Sequence, residues 1–233
     1  SYDVSGKSYT SGTYTTTSDA TLDSGIVDYI DDMGTPDDKT DDVTHYIKQI
    51  DGYGTVRESL TGGESKRPNE LGVLTKIGEY DTTSRFKADG QQFYGVTTGS
   101  STNLAGKPTG SYTTTQTFDP IYGVMTKQVT EGSSISYDVS GKSYTSGTYT
   151  TTSDATLDSG IVDYVDDMGT PDDTSDDVTH YLKQIDGYGT VRESITGGES
   201  KRPNELGVLT KIGEYDTTSR FKADGQQFYG VTT

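Results

Sequence analysis

Residues 1–98 return almost unchanged as residues 136–233, displaced by 135 positions. Five of the 98 aligned positions differ: Ile30/Val165, Lys39/Thr174, Thr40/Ser175, Ile47/Leu182 and Leu60/Ile195. A long fixed period constrains a fold strongly, because every copy must satisfy the same local and neighbouring contacts. Three of the exchanges swap one aliphatic residue for another, which packed positions tolerate when volume is kept. The other two fall in an Asp-rich run that reads as solvated loop. Both copies are therefore expected to fold alike, and an active site divided between unlike halves is not. The organisation reads as copy one (1–98), the remainder of the first unit (99–135) and copy two (136–233). Their phase predicts a stretch of a longer array, with a simple two-copy protein joined by a linker as the alternative.

The hydrophobic share is 28%, and adding the 29 Gly narrows without closing the gap to the roughly 45–50%, Gly included, usual for globular chains. With a net charge of −17, that balance favours disorder unless other residues supply a buried face. Here 18 Tyr supply one, since a Tyr ring packs while its hydroxyl stays wet or paired. Alternation of Tyr and Thr with polar residues, broken by Gly and Asp turns, predicts strands and no helix. The fold class expected is all-β: a tandem array of β-hairpins forming a strip or solenoid. There is no Cys, so thiolate metal sites and disulfides are excluded. The acidic balance disfavours nucleic acid, which needs clustered Lys and Arg. No apolar run approaches the ~20 residues of a membrane helix, so no membrane insertion is expected.

Taken in order, Ser1–Leu22 predicts two short strands, around Tyr9 and over Thr13–Thr17. A strand around Ile26–Ile30 leads into an acidic loop. His45–Leu60 reads as a hairpin turning at Asp51–Gly54. Thr61–Asn69, with Gly62-Gly63, reads as a polar loop. Val73–Tyr80 is a strand, Asp81–Ser84 a turn, and Phe86–Ala88 and Phe93–Val96 short returns. Gly99–Gly110 reads as loop, Tyr112–Phe118 and Val124–Thr130 as a hairpin, and Glu131–Ser133 as a turn.

These turns share a form: an apolar or aromatic residue, then Asp, then Gly or Ser after two or more residues. It occurs in Tyr2-Asp3-Val4-Ser5-Gly6, Ile50-Asp51-Gly52-Tyr53-Gly54, Tyr80-Asp81-Thr82-Thr83-Ser84 and Phe118-Asp119-Pro120-Ile121-Tyr122-Gly123, and the first three recur at Tyr137–Gly141, Ile185–Gly189 and Tyr215–Ser219. Asp accepts hydrogen bonds from nearby backbone and Gly reaches positive φ. In Phe118–Lys127, Gln49–Glu58 and Gly78–Phe86 the sequence resembles the hairpins of the YD-repeat (Rhs-like) family, with Thr55 in place of Arg and Ser84 in place of Gly. The resemblance implies a strip of β-hairpins that coils into a shell or spiral, with no chemistry in the strip itself.

The acidic loops hold the candidate metal ligands: Asp31, Asp32, Asp37, Asp38, Asp41 and Asp42, with Asp166, Asp167, Asp172, Asp173, Asp176 and Asp177 in copy two. Calcium takes six to eight oxygens, which such loops supply, but the spacing is not that of an EF-hand. A solvated acidic loop is the simpler reading, and no cofactor is required. His45 and His180 are the two histidines, so a Ser–His–Asp site would have to use them. Lys66-Arg67-Pro68 is too short for a nucleic-acid patch, and Gly62-Gly63-Glu64-Ser65 lacks the Lys of a P-loop. No catalytic residue is assigned. The function expected is a structural, non-enzymatic repeat segment of a large extracellular or cell-surface protein or filament, partnered by further repeats. The alternatives are a shell segment of a toxin-like YD-repeat cocoon and an adhesin or glycan-binding module.

Overall fold

The computed structural model describes residues 1, 6, 8–169 and 174–233. Among them are fourteen strands and no helix. The chain divides into two compact units, Ser1–Pro108 with Pro120–Gly123, and Thr109–Asp119 with Val124–Thr233.

The first unit contains β1 (Gly12–Thr17), β2 (Asp23–Asp31), β3 (Val43–Lys48), β4 (Glu58–Pro68), β5 (Leu74–Phe86) and β6 (Gln92–Thr102). β1, β4, β5 and β6 lie side by side in that order, all antiparallel. β2 and β3 form a separate hairpin. The second unit contains β7 (Pro108–Phe118), β8 (Met125–Tyr137), β9 (Ser143–Asp154), β10 (Asp158–Asp166), β11 (Val178–Lys183), β12 (Glu193–Pro203), β13 (Leu209–Phe221) and β14 (Gln227–Thr232). Its antiparallel order is β7-β8-β9-β12-β13-β14, with β10–β11 as the separate hairpin. Register repeats with sequence. Glu58 faces Arg85 across β4–β5, and Glu193 faces Arg220 across β12–β13.

Several of the turns obey a simpler rule than an aromatic before Asp. Asn69–Gly72 joins β4 to β5, and Gly72 sits at φ +74°. Gly72 N–H donates to the Asn69 carbonyl at 2.9 Å. Asn69 Oδ1 accepts from the N–H groups of Leu71 and Val73, at 3.0 and 2.9 Å. The same pattern recurs at Asn103, Asp138 and Asn204. Asp51 and Asp186 repeat it at a corner closed by the isolated bridges Ile50–Val56 and Ile185–Val191. The device is Asx-x-x-Gly: the side chain holds two N–H groups, and Gly takes the left-handed position at no steric cost.

Several strand assignments are corrected accordingly. Asp81–Ser84 lies inside the continuous β5 and Glu131–Ser133 inside β8. No residue of either segment takes a positive φ. Thr61–Pro68 is part of β4, not a loop, and β6 runs on to Thr102. β3 pairs with β2 rather than folding back across Asp51–Gly54. The two short strands expected near Tyr9 and Thr13–Thr17 appear as the single β9 in copy two and as β1 alone in copy one.

No thick apolar core supports these strands. Among the described residues Ile185 is the one buried hydrophobic side chain, whereas Ser24, Gln49, Glu58, Ser153, Ser159, Gln184 and Glu193 are buried and polar. The stabilising contacts must therefore be found on the sheet faces and at polar nodes.

Candidate functional site

One face of each sheet carries a row in which Tyr alternates with Gly. In the first unit it runs Tyr14, Gly63, Tyr80, Gly99. In the second it runs Tyr112, Gly132, Tyr149, Gly198, Tyr215. Tyr80, Tyr149 and Tyr215 lean over Gly63, Gly132 and Gly198. A Cβ built on Gly63 would lie 2.5 Å from the Tyr80 ring, and one on Gly132 or Gly198 about as close to Tyr149 or Tyr215. Gly weakens a strand through its entropy and missing side chain, and the crossing aromatic covers that gap. Burial raises the Tyr149 hydroxyl above its ordinary pKa, assisted by Tyr112 and Tyr215.

A parallel row of Thr runs two residues away: Thr16, Thr61, Thr82, Thr97, and Thr114, Thr130, Thr151, Thr196, Thr217, Thr232. Hydroxyl–hydroxyl bonds of 2.8 Å join Thr16 to Thr61, Thr82 to Thr97, Thr114 to Thr130, Thr151 to Thr196 and Thr217 to Thr232. Such cross-strand pairs each contribute on the order of 0.2–1 kcal/mol. They act between neighbouring strands only, so the stabilisation extends strand by strand.

The opposite face is charged. Glu64 lies across from Glu79 and Glu199 across from Glu214, a like-charge pairing that destabilises by itself. Lys66 pairs with Glu64 and Lys76 with Glu79, each at 2.5 Å. Lys201 reaches Glu199 at 2.5 Å, and Lys211 reaches Glu214. The hydrogen bonds from these lysines hold the four carboxyls below their ordinary pKa. Shallow grooves over Gly62-Gly63 and Gly197-Gly198 open beside these groups.

A buried polar node fastens the β2–β3 hairpin to its sheet. Glu58 Oε2 accepts from Arg85 Nε at 2.8 Å and from Gly25 N–H at 3.0 Å. Glu58 Oε1 accepts from Gln49 Nε2 at 3.4 Å, while Gln49 Oε1 takes the Asp19 N–H at 3.0 Å. The Arg85 guanidinium fills the space a Cβ on Gly25 would need, 1.7 Å away, and stacks on the Tyr94 ring at 4.8 Å. Glu193, Arg220, Gly160, Gln184 and Tyr229 rebuild the node in copy two. No local pattern marks this node in the sequence. Its partners lie 27 and 33 positions apart, and only a register exposes them.

The acidic-loop carboxylates are spent largely on their own turn. Asp31 and Asp32 accept the N–H groups of Met33 and Gly34 at 3.0 and 2.9 Å. Met33 stands at φ +51°, in the left-handed region. Asp38 takes the N–H and hydroxyl of Thr40, which lowers its pKa. Asp41 accepts the Thr35 hydroxyl at 2.7 Å, and Asp42 lies 3.9 Å from Lys39. Asp37 stands exposed in the same loop. In copy two Asp166 and Asp167 repeat the first pair. Asp176 and Asp177 follow in the loop, whereas Asp172 and Asp173 lie outside the described residues. Among the described residues no three His, Cys, Asp or Glu are gathered as a metal-binding group.

His45 stacks flat on Tyr29 at 4.4 Å, and His180 on Tyr164 at 4.3 Å. Both rings serve as packing partners on the small hairpins. Comparison with protein-family models, curated proteins and solved structures found no match to this chain.

Proposed function

We propose that this chain is a structural, non-catalytic repeat segment of a large extracellular or cell-surface protein or filament. The observation that carries this reading is the identical register of the two copies, held by rows that couple each strand only to its neighbours. Stability in such an arrangement accumulates with the number of strands, as in other repeat proteins. A mechanical or spacing role needs that property, and an enzyme does not. The YD-repeat resemblance of Ile50–Gly54 supports this reading, whereas Tyr80–Ser84 lies inside β5.

The test is to express residues 1–98, 1–135 and 1–233 and to melt each. The expected outcome is a melting temperature that rises along the series. Equal stability of 1–98 and 1–233 would show independent domains and overturn the reading.

A further inference from the structure

Two surfaces in each copy carry apolar side chains that the fold does not cover. The first is the β2–β3 hairpin. β2 pairs with β3 alone, and a lone two-stranded hairpin is marginally stable in water. Val27, Tyr29, Ile30, Val43 and Tyr46 nevertheless stand exposed on it, with Met33 at its loop. The exposure is a property of the hairpin and not of its place in the chain. Tyr29 is 54% and Tyr164 53% exposed, and Met33 60% and Met168 59%. The hairpin is also strongly acidic. Residues 23–48 hold eight Asp against Lys39 and Lys48, and residues 158–183 hold eight against Lys183 alone.

The second surface is the turn that joins β4 to β5. Its Asx-x-x-Gly device uses Asn69 and Gly72 and makes no demand on the side chain at 71. That position is Leu71, 86% exposed, and its counterpart Leu206 is 87% exposed. Val73 and Leu74 beside it are exposed too, as are Val208 and Leu209. Charge is reversed here, since residues 66–76 carry Lys66, Arg67 and Lys76 against Glu70. Lys66 and Lys76 are tied to Glu64 and Glu79. Arg67 is exposed and faces Thr75 across the ladder, not a carboxylate, and Arg202 faces Thr210 in the same way. The two surfaces stand at opposite ends of β4. Glu58, its first residue, holds the hairpin through Gly25, and Pro68, its last, leads into the turn. At about 3.3 Å per residue those ends lie roughly 35 Å apart. Tip and hairpin of one unit leave each other uncovered, as the exposure of Leu71 and Met33 shows.

We propose that the β2–β3 hairpin is a docking site for the β4–β5 tip of a second copy of this chain, and that β10–β11 receives a β12–β13 or β4–β5 tip in the same way. The apolar tip covers the exposed apolar side chains of the hairpin, and Arg67 lies against its carboxylates. Gathered apolar residues at a surface mark interaction sites, and complementary charge selects among partners. Two hairpins laid together would oppose eight Asp with eight Asp. Two tips laid together would leave both hairpins bare. Only the unlike pairing covers apolar surface on both sides and meets acid with base. A contact between unlike patches is heterologous, and it propagates into a filament where its rotation does not close. This docking rests on the structural-repeat reading and adds to it how copies are joined. Its failure would leave the melting series of the truncated chains untouched, so the two fail separately.

The experiment is sedimentation of the full chain over a range of concentrations. Salt of about 0.15 M screens the repulsion between net-acidic chains beyond about 8 Å. Concentration-dependent association is expected. Each surface occurs twice, so substitutions are made in both copies. A tip variant combines Leu71→Asp with Leu206→Asp, and a hairpin variant combines Ile30→Lys with Val165→Lys. All four native side chains are exposed, and circular dichroism with urea melting checks that both variants fold as the parent does. Each variant alone should associate roughly tenfold more weakly or worse, because a charge is then buried in an apolar contact. Mixed together the two should form complexes again, since the intact tip of one meets the intact hairpin of the other. A parent chain that stays monomeric up to about 1 mM overturns the docking. So does a tip or hairpin variant that associates as the parent does, which would show contact between like patches. A mixture that stays monomeric overturns it as well. Binding of an oligo-arginine peptide by a chain that remains monomeric would place a different partner on the hairpin and overturn it too.

Discussion

Glu58 shows how a chain with so little aliphatic content holds its parts together. The carboxylate is buried and answers Arg85, Gly25 N–H and Gln49 together. Burying a charge is costly unless it is paired and hydrogen-bonded, and here both conditions are met. Removing one member leaves Arg85 and the Gly25 N–H without their acceptor. Glu58→Ala should destabilise the protein by about 3–5 kcal/mol, and Glu193→Ala similarly. Urea denaturation of both single variants and the double variant checks this. Full-size losses that add in the double variant are expected; a loss below about 1 kcal/mol would place the hairpin's anchorage elsewhere.

At the scale of the strand, the Tyr–Gly row makes a prediction with opposite signs in two backgrounds. With Tyr80 present, Gly63→Ala forces the ring off the strand and should destabilise. With Tyr80→Ala, the same change fills empty space and recovers part of the Gly penalty of roughly 0.5–1 kcal/mol. A double-mutant cycle measured by chemical denaturation should therefore give a coupling of about 1 kcal/mol. No coupling would mean that the ring and the glycine do not share a contact. The row also explains why Gly63 sits inside β4 rather than in a loop.

Across the whole molecule the dominant electrostatic feature is acid. Net charge is −17, and many carboxyls are held below their ordinary pKa by turn hydrogen bonds and Lys partners. Asp154 is the extreme case, lowered to about 2 by the Thr156 hydroxyl and N–H and by Lys127. Asp19, Asp51 and Asp138 are lowered by their turns as well. A folded pKa below the unfolded one gives stability that is complete above the unfolded value, near pH 4. That stability is lost as pH falls through the folded value. Repulsion among the acidic loops works the other way, but salt screens exposed charges over about 10 Å. The urea midpoint at moderate salt should thus stay level above about pH 5 and fall between roughly pH 4 and 2. Asp154→Asn should remove the part of that fall nearest pH 2. A midpoint that rises on acidification would show that loop repulsion outweighs the turn contacts.

The sequence by itself determined the all-β class, the repetition and the equivalence of the copies. Those follow from side-chain period and identity, which are local properties. It also marked where backbone could turn, because Asx and Gly advertise their conformations. It misplaced Asp81–Ser84 and Thr61–Pro68, since Thr, Gly and Asp read as loop until Tyr80 and its neighbours are laid across them. Tertiary structure alone decided the pairing of β1 with β4 and of β9 with β12, each bridging past a small hairpin. It alone brought Glu58 to Arg85 and Gly25. Such contacts depend on register between distant strands, and no property of either strand alone specifies it. The contrast of β1 with β9 carries the same lesson, since one sequence of twelve residues is half strand or all strand according to the neighbour beside it.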